Sequence, residues 1–368
     1  MSQPRKLPSV IIISVCLVAL IACTSVIGLI LKSLLIPPNQ KSDFLPIAAS
    51  PGNEVTENPE IERKPDYYNI LLLGTDSIGM NTDTIMLVSI DGTKKKISIL
   101  QLPRDTYIEY ENTGCKLNSV FKKKLEQSGS AKESVEGLAR LLEKSLCIPI
   151  DYCAVIDLAV LRETVDAIGG VTVDIPADMY YVDNKQGLKI DLKAGVSTLN
   201  GDQAEQFIRY RSGYLQADIG RMDAQKLFLS ALIRKVKTEF TLSQITAVVR
   251  TAIKNINTTI PVSDAIYLAS KIYESIGESD ITMKTLQGGA YKNGMYYIMY
   301  RSAAYETVNT YFNAYSTDIP EDAFDSELIF TDNDDSVIKE LYYAKDAASD
   351  GKTAEDINDN GIYIPMLK

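Results

Sequence analysis

The sequence contains no histidine. That absence removes a Ser-His-Asp triad, a Cys-His pair, an HExxH zinc site and any imidazole general base. Chemistry must rest on carboxylates, arginine and lysine, hydroxyls, thiols or a bound ion. Arginine is the scarcer base, since lysine supplies 27 of the 38 basic residues. A general excess of positive charge is also missing. The net charge is −10, and residues 318–368 account for all of it with 14 acids against 4 bases. The neutral remainder has no general basic surface, which argues against a nucleic-acid binder.

One long apolar run is present. Leu7 to Leu31 is 25 residues without a charge, enough to span a bilayer. Arg5 and Lys6 precede it, so the positive-inside rule puts the N-terminus in the cytoplasm and the bulk outside. A cleaved signal peptide is a second reading. A lipoprotein signal at Leu20-Ile21-Ala22-Cys23 is a third, although the chain stays apolar beyond Cys23. An uncleaved single-pass anchor at the cell membrane is the expectation. Five cysteines occur, of which Cys16 and Cys23 fall in this run. An oxidising exterior permits one disulfide among Cys115, Cys147 and Cys153. Cys115–Cys147 is the preferred pair, and Cys153 in YCAVIDL reads as a buried small hydrophobe.

The chain divides into four parts: a cytoplasmic stub and anchor (1–36), a spacer (37–66), a folded domain (67–315) and an acidic tail (316–368). The spacer holds six of the 14 prolines, a semi-stiff composition. NILLLGTD, TIMLVSID and KKISILQLPRD read as strands, the last two joined by the turn DGTKKK. ESVEGLARLLEKSL reads as a helix, IDYCAVIDL as a strand, and AVLRETVDAIGG as a helix stopped by Gly169-Gly170. VTVDIP begins another strand. NGDQAEQFI is a short helix opened by Asn200, and ADIGRMDAQKLFLSALIRKVK a long one. ITAVVRTAIKNI and SDAIYLASKIYESI add helices, MYYIMY a strand and ETVNTYFNAY a helix. In the tail, VIKELYYAK is a candidate helix. This alternation argues for a layered α/β domain.

Against the lysine-rich background, FIRYRSGYLQADIGR (residues 207–221) carries three arginines and no lysine. The planar guanidinium suits phosphate or carboxylate oxygens, so a fixed anion is one reading; ordinary surface or ion-paired arginines are the other. Arg209 and Arg211 share a face only if the helix ends by about Ile208, and Arg221 falls in the first turn of the next helix. A second cluster is GTDSIGMNTDT. Asp76 follows the first strand and Asp83 opens the second. Carboxylates at neighbouring strand ends can hold Mg²⁺ with phosphate oxygens, or merely cap turns, and spacing alone favours the caps. LPRDT adds Arg104 and Asp105 at the end of the third strand.

Taken in order, LLLGTD, NTDTIMLVSID, LPRDTYIE, KLNSVF, VDAIGGVTVDIP, LNGDQAEQFIRYR and DIGRMDAQ resemble the LytR-CpsA-Psr family over about residues 67–315. VNTYFN, near Asn309, resembles the usual end of that domain. The resemblance implies one α/β/α domain with a mixed central sheet, preceded by a transmembrane helix and facing the cell exterior. It implies a phosphotransferase that moves a glycopolymer from an undecaprenyl-pyrophosphate carrier to peptidoglycan. Asp76 and Asp83 would serve Mg²⁺, and Asp76 and Arg104 the chemistry. Arg104, Arg209, Arg211 and Arg221, with Lys116, Asn118 and Gln225, would grip the pyrophosphate. An apolar pocket would take the prenyl tail. Such chemistry asks mainly for positioning and charge neutralisation, which need no histidine.

Two positions depart from the family pattern. Asn81 and Ala224 stand where the family usually has arginine. Fewer positive groups keep two other activities in view: lipid-pyrophosphate binding without catalysis, and hydrolysis of the same bond.

Overall fold

Alternation along Tyr67–Thr75 sends Leu71 and Leu73 into one apolar core and Tyr68 and Ile70 into another. A strand covered on both faces reads as an unbroken apolar run, as NILLL does. The computed structural model describes residues 37–38, 40, 62–75, 82–184, 187–214, 218–275, 280–291, 295–324 and 330–331. The expected anchor, Asp76, Asn81, most of the spacer and the candidate helix VIKELYYAK lie outside them. Among the described residues, no helix is long and apolar enough to cross a membrane.

In chain order, β1 (Tyr67–Thr75), β2 (Thr82–Asp91), β3 (Lys96–Leu102), β4 (Tyr107–Tyr110) and β5 (Thr113–Lys116) lead to helices α1 (Leu117–Ser128) and α2 (Ala131–Leu146). There follow β6 (Tyr152–Asp157), α3 (Leu158–Ala167), β7 (Val171–Ile175), β8 (Met179–Asp183), β9 (Leu188–Leu192), β10 (Gly195–Leu199) and α4 (Gly201–Arg209). Then come α5 (Asp218–Glu239), α6 (Leu242–Ala252), β11 (Asn257–Thr258), α7 (Val262–Ser275), β12 (Ile281–Thr285), β13 (Gly288–Tyr291), β14 (Tyr296–Tyr300), α8 (Arg301–Tyr311) and β15 (Phe330–Thr331).

Six strands form the central sheet in the order β11-β6-β1-β2-β3-β12. β1, β2 and β3 run antiparallel in sequence, whereas β6 joins β1 and β12 joins β3 in parallel, so the sheet is mixed as expected. On one face, Leu71, Leu73, Leu87 and Leu100 pack with Phe121 of α1, Leu138 of α2 and Val308 of α8. Each such leucine stabilises the fold by roughly 1.5–3 kcal/mol on leaving water. The other face meets Tyr267 and Leu268 of α7 and Leu229 of α5. A separate core joins α3, α4 and α5 to β7–β10 through Val165, Val173, Phe207 and Phe228.

Local signals explain the turns into this second core. Asp157 caps α3 by accepting from Val160 N at 2.8 Å. At its other end Gly170, at φ +85°, donates from its N–H to Val165 O at 2.9 Å and releases the chain into β7.

Two expectations are corrected. Cys115 and Cys147 form no disulfide, and neither does Cys153. The Cys147 side chain faces main-chain oxygens, with Sγ 2.8 Å from Ala323 O, and Cys115 lies in the β4–β5 hairpin. Secondly, the first residues assigned to the tail belong to the folded body, because Ile319 and Phe324 are buried in the core under α8. The two ends of that body are paired. Lys64 N donates to Ala314 O at 2.8 Å and Ser316 N to Glu62 O at 2.9 Å, around the antiparallel bridge Arg63↔Tyr315. Arg63 also ion-pairs with Asp151 at 2.6 Å.

Candidate functional site

The motif LPRDT makes the turn that leaves β3. Both N and Oγ1 of Thr106 donate to Pro103 O, at 3.1 and 2.6 Å. This turn sends Arg104 back to the start of β2, where its guanidinium ion-pairs with the Asp83 carboxylate. KLN locks the turn through its backbone. Asn118 N donates to Arg104 O at 3.1 Å, Leu117 N to Thr106 O at 2.8 Å, and Thr82 Oγ1 to Asn118 O at 3.3 Å. Lys116 does not reach Asp83; its Nζ pairs with Asp105 at 3.0 Å.

Helix α4 starts with a reciprocal cap between Asn200 and Gln203. Its first residue, Gly201, approaches the backbone of Arg162 so closely that a Cβ there would sit 2.5 Å from Arg162 O. Arg209 is the last helical residue, held by Glu205 one turn earlier at 2.7 Å. Glu205 also ion-pairs with Arg162 of α3, and that hydrogen bond raises the Arg162 pKa.

The helix ends one residue later than the convergence of Arg209 with Arg211 asks. Tyr210 N still bonds Gln206 O at 3.1 Å, so the helix runs one residue past Ile208 before Tyr210 turns extended. Arg211 is exposed and is not part of the cavity wall described below.

Arg221, in the first turn of α5, is only 3% exposed and donates from Nη2 to the main-chain oxygen of Asp83 at 3.1 Å. One turn further on, Gln225 Oε1 accepts from Gln101 Nε2 at 2.6 Å and from Thr84 Oγ1 at 3.3 Å. Gln225 Nε2 donates to Ile208 O at 3.3 Å. Asp223 points into buried surroundings that raise its pKa, opposed by its ion pair with Lys226 at 2.6 Å. Ala224, at a departure from the family pattern, is fully buried in the second core.

These groups surround the mouth of a cavity of about 230 Å³. Asp83, Asp157, Arg209, Arg221 and Gln225 supply its polar wall; Met86, Ile156, Leu161, Phe228 and Leu232 are among its apolar lining. Leu232 also lines a second, wholly apolar cavity of about 240 Å³ between α5, α6 and α7, with Val236, Ile245 and Tyr273. Guanidinium and amide donors at the mouth of apolar space suit an anion that carries a hydrocarbon chain. The sites read from sequence are thus partly assembled: Asp83, Arg104, Arg209, Arg221 and Gln225 come together. Lys116 and Asn118 stand behind them as turn supports, and Asp76 lies outside the described residues. Sequence reasoning missed Thr84, Gln101, Asp157 and Glu205. Only Glu205 left a signal, its i,i+4 spacing to Arg209.

Known proteins are similar to this chain in sequence and fold. The sequence profile of the LytR_cpsA_psr family matches residues 42–313. The polyisoprenyl-teichoic acid–peptidoglycan teichoic acid transferase TagV of Bacillus subtilis (strain 168) is 27% identical over 252 residues, 66% of this chain and 62% of the relative. The transferase of the same description named TagU, from Bacillus cereus (strain ATCC 14579), is 26% identical over 277 residues, 73% of this chain and 85% of the relative. The crystal structure of B. subtilis TagV matches with a TM-score of 0.55 at 25% identity, covering 66% of this chain and 95% of that one. With the profile matched across the sheet, the strand-end turns and the arginine-bearing helices that frame the cavity, the chain belongs to the LytR-CpsA-Psr family.

Proposed function

We propose that this protein transfers a glycopolymer from a polyprenyl-pyrophosphate carrier to peptidoglycan. The observation that carries the proposal is the charged mouth, Asp83–Arg104 with Arg209 and Arg221, opening directly onto apolar space. TagV and TagU, to which the chain is similar, are named as polyisoprenyl-teichoic acid–peptidoglycan teichoic acid transferases, which supports this reading. In this reading the diphosphate lies at the mouth and the prenyl chain runs along α5 past Phe228 and Leu232. An acceptor hydroxyl attacks the phosphorus that bears the glycan. The new O–P bond forms as the P–O–P bridge breaks, leaving polyprenyl phosphate and a phosphodiester.

Arg221 is fixed before substrate arrives, since burial and its bond to Asp83 O leave the guanidinium few alternatives. Arg104, braced by Asp83, and Arg209, braced by Glu205, add donors whose side chains are already oriented. The proton of the acceptor passes to Asp76 in this proposal.

At the mouth Asp83 offers an oxygen donor of the kind Mg²⁺ takes. Mg²⁺ is commonly held by one or two carboxylates together with substrate phosphates. Asp83 and Asp76 would hold it, and when bound it neutralises charge on the diphosphate oxygens. We further propose that residues 1–36 anchor the domain at the outer face of the cell membrane.

The test is reconstitution of the full chain with lipid-linked glycopolymer, Mg²⁺ and peptidoglycan. The expected product is glycopolymer bound to peptidoglycan through a phosphodiester. Release of free phosphorylated glycan would make the protein a pyrophosphatase, and binding without turnover a tethered lipid-pyrophosphate receptor.

A further inference from the structure

Gln101 occupies the face of β3 that carries Ile97 and Ile99 and packs against α5 and α7. It is 1% exposed. A primary amide so placed is unfavourable unless hydrogen-bonded, whereas another isoleucine would continue the stripe without that penalty. Its Nε2 donates to Gln225 Oε1 at 2.6 Å.

The partner amide can be turned either way with little change of shape, exchanging its oxygen and its nitrogen. Ile208 O can only accept, and it takes a hydrogen bond from Gln225 Nε2 at 3.3 Å. That contact turns Oε1 to the opposite side, where Gln101 Nε2 donates to it, while Gln101 Oε1 has no hydrogen-bond partner among the described residues. The Thr84 hydroxyl also donates to Gln225 Oε1, at 3.3 Å. Together these contacts leave the second N–H of Gln225 for the cavity that Gln225 lines. The same contacts tie the charged residues to one another. Thr84 is next to Asp83, Ile208 is next to Arg209, Gln225 is one turn beyond Arg221, and Gln101 is three residues before Arg104.

We infer that Gln101 is a positioning residue that holds the Gln225 side chain in place at the cavity mouth, where Ile208 O turns the amide so that it presents a donor to an anion. The inference rests on the proposed pyrophosphate site. Without Gln101 the Gln225 side chain would lose its shortest contact and with it its fixed place beside the phosphate oxygens. Gln101 thus acts through Gln225 and touches no substrate itself.

The test compares the parent chain with Gln101→Met, which keeps length and removes the donor. Binding of geranylgeranyl pyrophosphate and of geranylgeraniol is measured by calorimetry in detergent, and Tm is recorded for each protein. Gln101→Met is expected to keep or raise Tm, to weaken pyrophosphate binding about fivefold, the worth of one neutral hydrogen bond, and to leave the alcohol unaffected. Thr84→Val, which removes the longer contact to the same oxygen, is expected to show a smaller loss of the same selective kind and carries the test if the first variant does not fold. Equal weakening for both ligands would reduce Gln101 to packing and overturn the inference. So would a parent that prefers the pyrophosphate and a variant that prefers it equally, with the proposed function left standing. A parent without preference for the pyrophosphate would overturn that function and the positioning role together.

Discussion

Arg221 donates from Nη2 to the main-chain carbonyl oxygen of Asp83 across 3.1 Å, joining the first turn of α5 to the start of β2. A nearly buried cation is thereby committed to the cavity mouth. Arg221→Met removes the charge and keeps much of the volume. It is expected to lower transfer by roughly a hundredfold or more, because a fixed donor to a transition-state anion is lost. The loss of a hydrogen bond from a charged group also destabilises the fold by about 1.5–3 kcal/mol. Reconstituted transfer and urea unfolding check the two effects separately, and a folded variant of full activity would remove Arg221 from the site.

Arg209 and Arg211 are expected to differ in their effect on binding. Arg209 lines the cavity, whereas Arg211 is exposed outside its wall and Arg250 is exposed on α6. Arg209→Ala is expected to weaken geranylgeranyl pyrophosphate binding by roughly tenfold, Arg211→Ala by less than about threefold, and Arg250→Ala not at all. Similar losses from the first two would show that both guanidinium groups reach the ligand.

For Asp83, metal dependence is the informative readout. The carboxylate is 39% exposed, so its pair with Arg104 adds less than about 1 kcal/mol to stability. Asp83→Asn is expected to leave thermal unfolding nearly unchanged while raising the Mg²⁺ needed for half-maximal transfer by roughly tenfold. An unaltered Mg²⁺ titration would take Asp83 out of the metal site.

Among the described residues, Tyr214 is one of six tyrosines whose phenols are held above the usual value by burial, so each is expected to contribute to alkaline sensitivity. Burial holds the Tyr214 phenol well above the usual value, and the buried hydroxyl makes no hydrogen bond among the described residues. The folded protein therefore keeps a proton that the unfolded chain releases near pH 10. Stability falls as pH rises past that point, by up to about 1.4 kcal/mol per pH unit for this group. Tyr214→Phe is expected to match or exceed the parent at pH 7 and to lose less stability between pH 10 and 11 in urea unfolding. A variant that loses as much as the parent would place the alkaline sensitivity elsewhere.

Strands and helices with strong local patterns were readable in advance. β1, β2, β3 and β6 follow their apolar runs, and α3 and α4 follow their caps and glycines. The β4–β5 and β8–β9 hairpins were not foreseen, because strands of four or five residues leave too little alternation to register. At the site, charged motifs announced Asp83, Arg104, Arg209 and Arg221. Ile156, Phe228 and Leu232 were indistinguishable from packing residues, since a cavity wall and a core demand the same side chains. Gln101 was hidden for the opposite reason: its meaning depends on Gln225, a partner 124 residues away. The exact end of α4 was equally hidden, since one hydrogen bond, that of Tyr210 N to Gln206 O, prolongs the helix through Arg209.

The pairing of Glu62 and Lys64 with Ser316 and Ala314 has a mechanical consequence. The chain makes further contacts on either side of this pairing, through Pro38 and Gln40 before it and through Ile319, Phe324 and β15 after it. Tension between the two termini would load those outer contacts first, and then this short antiparallel contact and the Arg63–Asp151 pair. The central sheet and the cavity beside it would be spared until that corner had given way.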